Sequence, residues 1–180
     1  GSCGLNFKDN KFALIFKSGA NKGDSTSIKK IIPEIPGMKV INQTFTRGYS
    51  DNAYIYGSPY SLVRYVKGTI PANKNDYEVE GSQPDPPLFC AQSLDSSLRK
   101  TGVSISKKPS TYRNFLPTAD EYSITSDFTF RMSDTAQCGS KSKEPRKTIY
   151  THTSHSLERI VGETNIQSNN LFAETLLKTI

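Results

Sequence analysis

Apolar and polar residues alternate with a period of two over much of the N-terminal part of the chain, and the period lengthens to that of a helix at two later places. Leu5-Asn6-Phe7 and Lys11-Phe12-Ala13-Leu14-Ile15-Phe16-Lys17 are short strand-like runs separated by Lys8-Asp9-Asn10, whose Asp and Asn favour a tight turn. Together they predict an opening hairpin. Ser18 to Ser25, rich in Gly, Asn and Ser, reads as a loop, and Ser27 to Ile32 leads into Pro33-Glu34-Ile35-Pro36-Gly37, where two prolines and a glycine forbid regular structure. From Met38 to Phe45 the positions Met38, Val40, Asn42, Thr44 alternate with Lys39, Ile41, Gln43, Phe45, which predicts a strand with both faces partly covered. Ala53-Tyr54-Ile55-Tyr56 and the run from Ser61 to Ile70 predict two more strands, joined through Gly57-Ser58-Pro59.

The first helical period follows Asp85-Pro86-Pro87, in which Asp serves as N-cap and Pro takes the first helical position. Leu88, Ala91, Leu94 and Leu98 mark the stripe expected to be buried, Cys90 falls on the same apolar side as a buried inert thiol, and Gly102 is placed to end the helix in a left-handed conformation. Val103-Ser104-Ile105-Ser106 then resumes extended structure. The second helical period lies near the end, where Leu171, Thr175 and Leu176 recur at helical spacing and Phe172, Ala173 and Leu177 widen the stripe into a face that requires cover. Ser168-Asn169-Asn170 stands at its mouth. These side chains can accept hydrogen bonds from the free N–H groups of a first helical turn, so capping is one role open to them. Between the two helical regions, residues 107–147 form an irregular extension in which Tyr122–Thr125 and Phe128–Met132 alternate like a hairpin across Ser126-Asp127. The fold class expected is α+β, mainly antiparallel strands with one or two packed helices and further helices at the C-terminal end.

Composition narrows the function classes. The 180 residues are 34% hydrophobic, with nine Tyr, nine Phe and no Trp, which suits half-buried strands and is enough for a substantial core. No apolar run approaches the length of a membrane span and no signal-peptide pattern opens the chain, so the sequence reads as a mature soluble piece. The net charge of +6 permits an anionic partner, yet Lys and Arg are scattered. Only Lys141, Lys143, Arg146 and Lys147 cluster, among Gly, Ser and Pro and without interleaved aromatic rings, so no nucleic-acid partner is expected. Cys3, Cys90 and Cys138 lack the paired spacing of a zinc site. His152 and His155 point apart on a strand end with no third ligand nearby, and Asn42-Gln43-Thr44 is a glycosylation sequon only in a secretory eukaryotic context. Neither a metal nor a cofactor is expected.

The run Thr151-His152-Thr153-Ser154-His155-Ser156-Leu157-Glu158-Arg159-Ile160-Val161, followed by Gln167-Ser168-Asn169-Asn170-Leu171-Phe172-Ala173-Glu174-Thr175-Leu176-Leu177, resembles the class C low-molecular-mass penicillin-binding proteins. These are serine D-alanyl-D-alanine carboxypeptidases and endopeptidases of the cell wall, whose active site combines Ser-x-x-Lys, Ser-x-Asn and Lys-Thr-Gly. Four earlier passages resemble words of the β-rich domain inserted between the first two of those motifs: Gly4-Leu5-Asn6-Phe7-Lys8-Asp9-Asn10, Val40-Ile41-Asn42, Val66-Lys67-Gly68-Thr69-Ile70-Pro71, and Pro87 through Leu98 to Gly102-Val103. The resemblance covers residues 4–105 and 148–178. It implies an inserted domain over 1–147 and, over 148–180, re-entry into a transpeptidase-like (β-lactamase-like) catalytic domain. It further implies a cofactor-free periplasmic or cell-envelope enzyme that acts through an acyl-enzyme, with peptidoglycan stem peptides and β-lactams as partners. Ser168 and Asn170 take the catalytic Ser-x-Asn positions, and Glu174 is structural.

The matches to the other two motifs read as decoys. Lys100-Thr101-Gly102 spells Lys-Thr-Gly but precedes Ser-x-Asn and closes a helix, where a basic last turn and a glycine cap explain it. Ser27-Ile28-Lys29-Lys30, Ser104-Ile105-Ser106-Lys107 and Ser140-Lys141-Ser142-Lys143 spell Ser-x-x-Lys, yet none opens an apolar helix that could bury the lysine and hold it neutral to accept the serine proton. The chain on its own is therefore expected to be inactive, with an exposed apolar helix face that invites self-association. The reading from a different class is a non-catalytic cell-envelope binding module in which Ser168-Asn169-Asn170 is only a helix cap.

Overall fold

A computed structural model describes residues 4–47, 52–111, 148 and 150–178, and shows an α+β architecture. In chain order the elements are β1 (Lys11–Lys17), β2 (Ser27–Ile32), β3 (Lys39–Thr46), β4 (Tyr54–Tyr56), β5 (Val63–Ile70), β6 (Tyr77–Ser82), α1 (Pro86–Lys100), α2 (Leu157–Ile166) and α3 (Asn170–Leu177). The strands form two three-stranded sheets, ordered β2-β1-β6 and β3-β5-β4. The first is wholly antiparallel, with β1 central. The second is mixed: β4 runs antiparallel to β5, whereas β3 lies parallel to it from Lys39 opposite Val63 to Thr46 opposite Ile70. Among the described strands the β3–β5 pair is parallel and the other three pairings are antiparallel, within the mainly antiparallel expectation.

The two sheets share one core. Phe12, Leu14 and Phe16 of β1 pack with Val79 of β6 from one side, and Val66 and Ile70 of β5 from the other, joined by Ile35 and Phe89. Phe16, Leu14, Val66 and Ile70 are fully buried. Burying a side chain of this kind stabilises by about 1.5–3 kcal/mol, so this cluster is the main source of the fold's stability. Gly68 makes the close approach of β5 to the neighbouring chain possible. Its φ is +117°, and a Cβ there would collide with the Asn52 carbonyl oxygen.

The helix α1 forms where the sequence places it. The Leu88 N–H donates to the Asp85 carboxylate at 3.2 Å, Pro86 opens the first turn, and Gly102, at φ +87°, closes the last. The Gly102 N–H donates to the Arg99 carbonyl and the Val103 N–H to the Leu98 carbonyl, the paired bonds of a Schellman cap. The stripe that holds α1 to the body differs from the expected one: Phe89 is buried against the core and stacks obliquely on Phe7, while Leu94 is 60% exposed. Cys90 is half-buried and unpaired rather than buried, and Cys3 and Cys138 lie outside the described residues.

Four other expectations are corrected. No hairpin opens the chain, because Lys8, Asp9 and Asn10 all take left-handed φ and coil into a 3-10 turn. Asn10 locks this turn: its side chain accepts from the Phe7 N–H at 3.0 Å and donates to the Leu5 carbonyl at 2.9 Å. Residues 103–111 carry no strand. Two strands were not anticipated, β2 beyond the lead-in to Pro33, and β6. Finally, β3 is covered on one face only, and that face is its polar one. Thr44 and Thr46 are buried while Ile41 and Phe45 are 40% and 45% exposed. The inward polar groups are satisfied by the loop before β2: Asn42 donates to the Thr26 carbonyl at 2.8 Å, and Thr46 Oγ1 accepts from the Gly19 N–H at 3.0 Å. The expected hairpin over 122–132 lies outside the described residues.

Candidate functional site

The two C-terminal helices meet at a three-residue turn that carries the candidate chemistry. Ser156 caps α2, its hydroxyl accepting from the Arg159 N–H at 3.4 Å. At the other end of α2 the Gln167 N–H donates to the Glu163 carbonyl and the Asn169 N–H to the Thr164 carbonyl, both at 3.0 Å. Between them Ser168 sits at φ +49°, in the left-handed region that lets the chain reverse into the next helix. A non-glycine residue held there is a local strain that a helix junction or a functional site sustains.

Asn169, the last residue of the turn, is the cap of α3. Its side-chain carbonyl accepts from the Phe172 N–H at 3.2 Å, and its main-chain carbonyl accepts from the Ala173 N–H at 3.2 Å. The capping duty therefore falls on one of the three residues. Ser168 and Asn170 flank it, both exposed, and among the described residues neither side chain makes a hydrogen bond. The turn thus offers a hydroxyl able to donate and accept and an amide able to do both, two residues apart at the mouth of a helix. Such a pair can pass a proton and hold an amide group, and contains no nucleophile with a base beside it. Glu174, one turn further, is exposed.

Leu171, Phe172, Thr175 and Leu176 are half-buried, and Leu177 is 75% exposed; none of the described residues of α2 or α3 is fully buried. The apolar face that the periodicity requires to be covered is covered in part only.

The remaining sequence matches fall as follows. Lys100-Thr101-Gly102 is the C-terminal end of α1, as expected of a cap. Ser27 to Lys30 lies in β2, Ser104 to Lys107 in irregular chain, and Ser140 to Lys143 outside the described residues. His152 and His155 are exposed on a stretch that is neither helix nor strand, and among the described residues no group of three His, Cys, Asp or Glu could hold a metal ion. Among those residues no helix is long and apolar enough to cross a membrane.

Among the described residues two charged groups depart from their ordinary titration. Burial pushes the Arg64 guanidinium down, and it is held by the carbonyls of Ser58 at 3.1 Å and Ser61 at 2.8 Å, which braces the turn between β4 and β5. The hydrogen bond that its guanidinium donates to the Asp95 carboxylate raises Arg99 on the exposed side of α1. Neither lies in the turn at 168–170. A second surface was missed in the sequence: Tyr54, Tyr56, Tyr65 and Lys67 share the outward face of the β3-β5-β4 sheet. The signal was present in the i, i+2 spacing of Tyr54 with Tyr56 and of Tyr65 with Lys67.

No family model matches the chain, and no curated protein matches it. Among solved structures, it is similar to the crystal structure of penicillin-binding protein 4 (dacB) from Haemophilus influenzae complexed with a novel β-lactam. The superposition has a TM-score of 0.41 and 17% identity, and covers 59% of this chain and 26% of that one. The chain spans about a quarter of the length of that protein, and no residue role follows from a likeness of this extent.

Proposed function

We propose that this chain is part of a peptidoglycan-processing serine carboxypeptidase or endopeptidase of the penicillin-binding class, in which 1–147 is the inserted domain and 148–180 re-enters the catalytic one. The observation that supports it is the division of labour at the turn: Asn169 caps α3, and among the described residues the side chains of Ser168 and Asn170 make none of the hydrogen bonds that a pure cap would use. The ordered motif words over 4–105 and 148–178 point the same way.

In this reading a lysine-activated serine from flanking sequence attacks the carbonyl of the penultimate D-Ala, forming the ester bond of the acyl-enzyme as the C–N bond breaks. The serine proton passes to the lysine and onward through the Ser168 hydroxyl to the leaving nitrogen, which departs as an amine. Water then cleaves the ester. Asn170 accepts from and donates to the substrate amide and the lysine, holding both in place. The location is the periplasm or cell envelope, and β-lactams act as substrate mimics.

The test is intact-mass spectrometry after incubation with benzylpenicillin. The full-length protein should gain one stoichiometric adduct, at a serine outside residues 1–180, and this chain alone should gain none, because one member of such a set keeps almost none of its effect. An unlabelled full-length protein would overturn the proposal.

A further inference from the structure

The outward face of the β3-β5-β4 sheet presents large aromatic side chains to solvent. Register sets its layout. Tyr56 of β4 stands opposite Tyr65 of β5, and Tyr65 opposite Ile41 of β3; in the next row Tyr54 stands opposite Lys67, and Lys67 opposite Gln43. Tyr54, Tyr56 and Tyr65 are 61%, 53% and 41% exposed. Directly opposed side chains on a sheet lie roughly 5 Å apart, and same-face neighbours along a strand are separated by two rises of about 3.3 Å, so the three rings and the ammonium form one patch. A shallow depression of about 450 Å³ is lined by Tyr56, Tyr65 and Lys67.

Among the described residues the polar groups of this patch have no partner. Among the described residues the ion pairs are Lys11–Glu80, Lys29–Asp76 and Arg99–Asp95, so Lys67 has no carboxylate, and the hydroxyls of the three tyrosines make no hydrogen bond. No Asp or Glu alternates onto this face from β3, β4 or β5, whereas Lys39 does. The face is therefore aromatic, wet at its rim and positive, complementary to a flat ligand with an apolar face, a polar edge and a sparse negative charge.

Sugar rings meet that description: their axial C–H groups present an apolar face to a phenol ring, and their hydroxyl and acetamide groups meet side chains such as Gln43. A nucleic-acid strand meets it less well. It carries a phosphate at every nucleotide and is held by a track of cations, whereas here one lysine stands among the rings.

We propose that this face binds a glycan strand of N-acetylated sugars bearing carboxylates, with the tyrosine rings stacked on the sugars and Lys67 paired with a carboxylate. The peptidoglycan reading above supplies the source of that polymer, while the binding itself requires neither Ser168 nor turnover. The face would hold the strand at a distance from the chemistry and raise the local concentration of its stem peptides.

The test is isothermal titration of the full chain with two soluble tetrasaccharides, β-1,4-linked N-acetylglucosamine, which is neutral, and alternating N-acetylglucosamine and N-acetylmuramic acid, which carries carboxylates. Wild type should bind both, and the acidic one more tightly. Tyr56→Ala with Tyr65→Ala should weaken both by about tenfold or more, the equivalent of one or two lost ring contacts. Lys67→Gln should erase the preference for the acidic oligomer and leave the neutral one bound as before. Melting temperature serves as the check that each variant folds. Absence of binding by folded wild type, or unchanged affinity in the tyrosine variant, overturns the proposal. So does tighter binding of a single-stranded oligonucleotide, or a tyrosine-dependent dimer in sedimentation velocity without sugar binding. Because binding is read without hydrolysis, glycan binding alongside a full-length protein that benzylpenicillin does not label would uphold this site and remove only the catalytic reading.

Discussion

The sheet body and the C-terminal helix pair follow opposite burial logic. In the body, β1 buries Phe12, Leu14 and Phe16 almost completely, and β5 brings Val66 and Ile70 against them. In the helix pair no described residue is buried, and Leu157 and Ile166 of α2 and Leu177 of α3 are 65%, 78% and 75% exposed. An amphipathic helix draws most of its stability from packing of its apolar face, and isolated helices as short as α2 and α3 are marginal in water. The difference teaches that the body is held by its own core, whereas the described residues of the stretch with Ser168 and Asn170 leave their apolar side chains half-buried or exposed.

The largest effect that sharpens this contrast comes from paired truncations. Phe16→Ala should destabilise the chain by about 3–5 kcal/mol, the usual cost of emptying a phenylalanine site in a packed core. Leu177→Ala should change stability by no more than about 0.5 kcal/mol, as surface substitutions do. Both are read by urea denaturation of this chain, and comparable losses would break the distinction between the two regions. Next in size is Gly68→Ala, expected to cost about 1–3 kcal/mol through left-handed strain, with the clash on the Asn52 carbonyl adding to it. A smaller loss would mean that β5 has room to shift. Smaller again is Asp85→Ala, which removes the cap of α1 and should cost about 1 kcal/mol. Amide exchange should then quicken in the first turn of α1 and leave β1 protected, since the cap is local and the core is not.

Legibility followed the same divide between local rules and tertiary context. The boundaries of α1 were readable because Asp85-Pro86-Pro87 and Gly102 act through backbone chemistry that needs no neighbour. Strands β4 and β5 were readable from alternation. The strand β6 was not, since Glu78 and Glu80 flank a single buried valine and only pairing with β1 makes it a strand. In β3 the element was anticipated and its orientation was not: threonines take the inward side because loop residues Gly19 and Thr26 supply their hydrogen-bond partners. At the turn, three adjacent residues could all cap a helix by composition, and backbone conformation decided among them. Ser168 is left-handed and Asn170 is already helical, which leaves Asn169 in the extended geometry a cap needs. Where Ser168 and Asn170 stand was legible; which neighbour relieves them of capping was not.

That division supplies the most direct measurement of the central claim, the steady-state turnover of a D-Ala-D-Ala peptide by full-length protein carrying Ser168→Ala, Asn170→Ala or Asn169→Ala. The first two should lower turnover by on the order of a hundredfold or more at nearly unchanged melting temperature, as loss of a positioned proton-transfer or orienting group does. Asn169→Ala should do the reverse, losing about 1 kcal/mol of stability as a cap does while keeping turnover within a few-fold of wild type. Ser168→Ala protein that turns over peptide at the wild-type rate would contradict the assignment of this turn to catalysis.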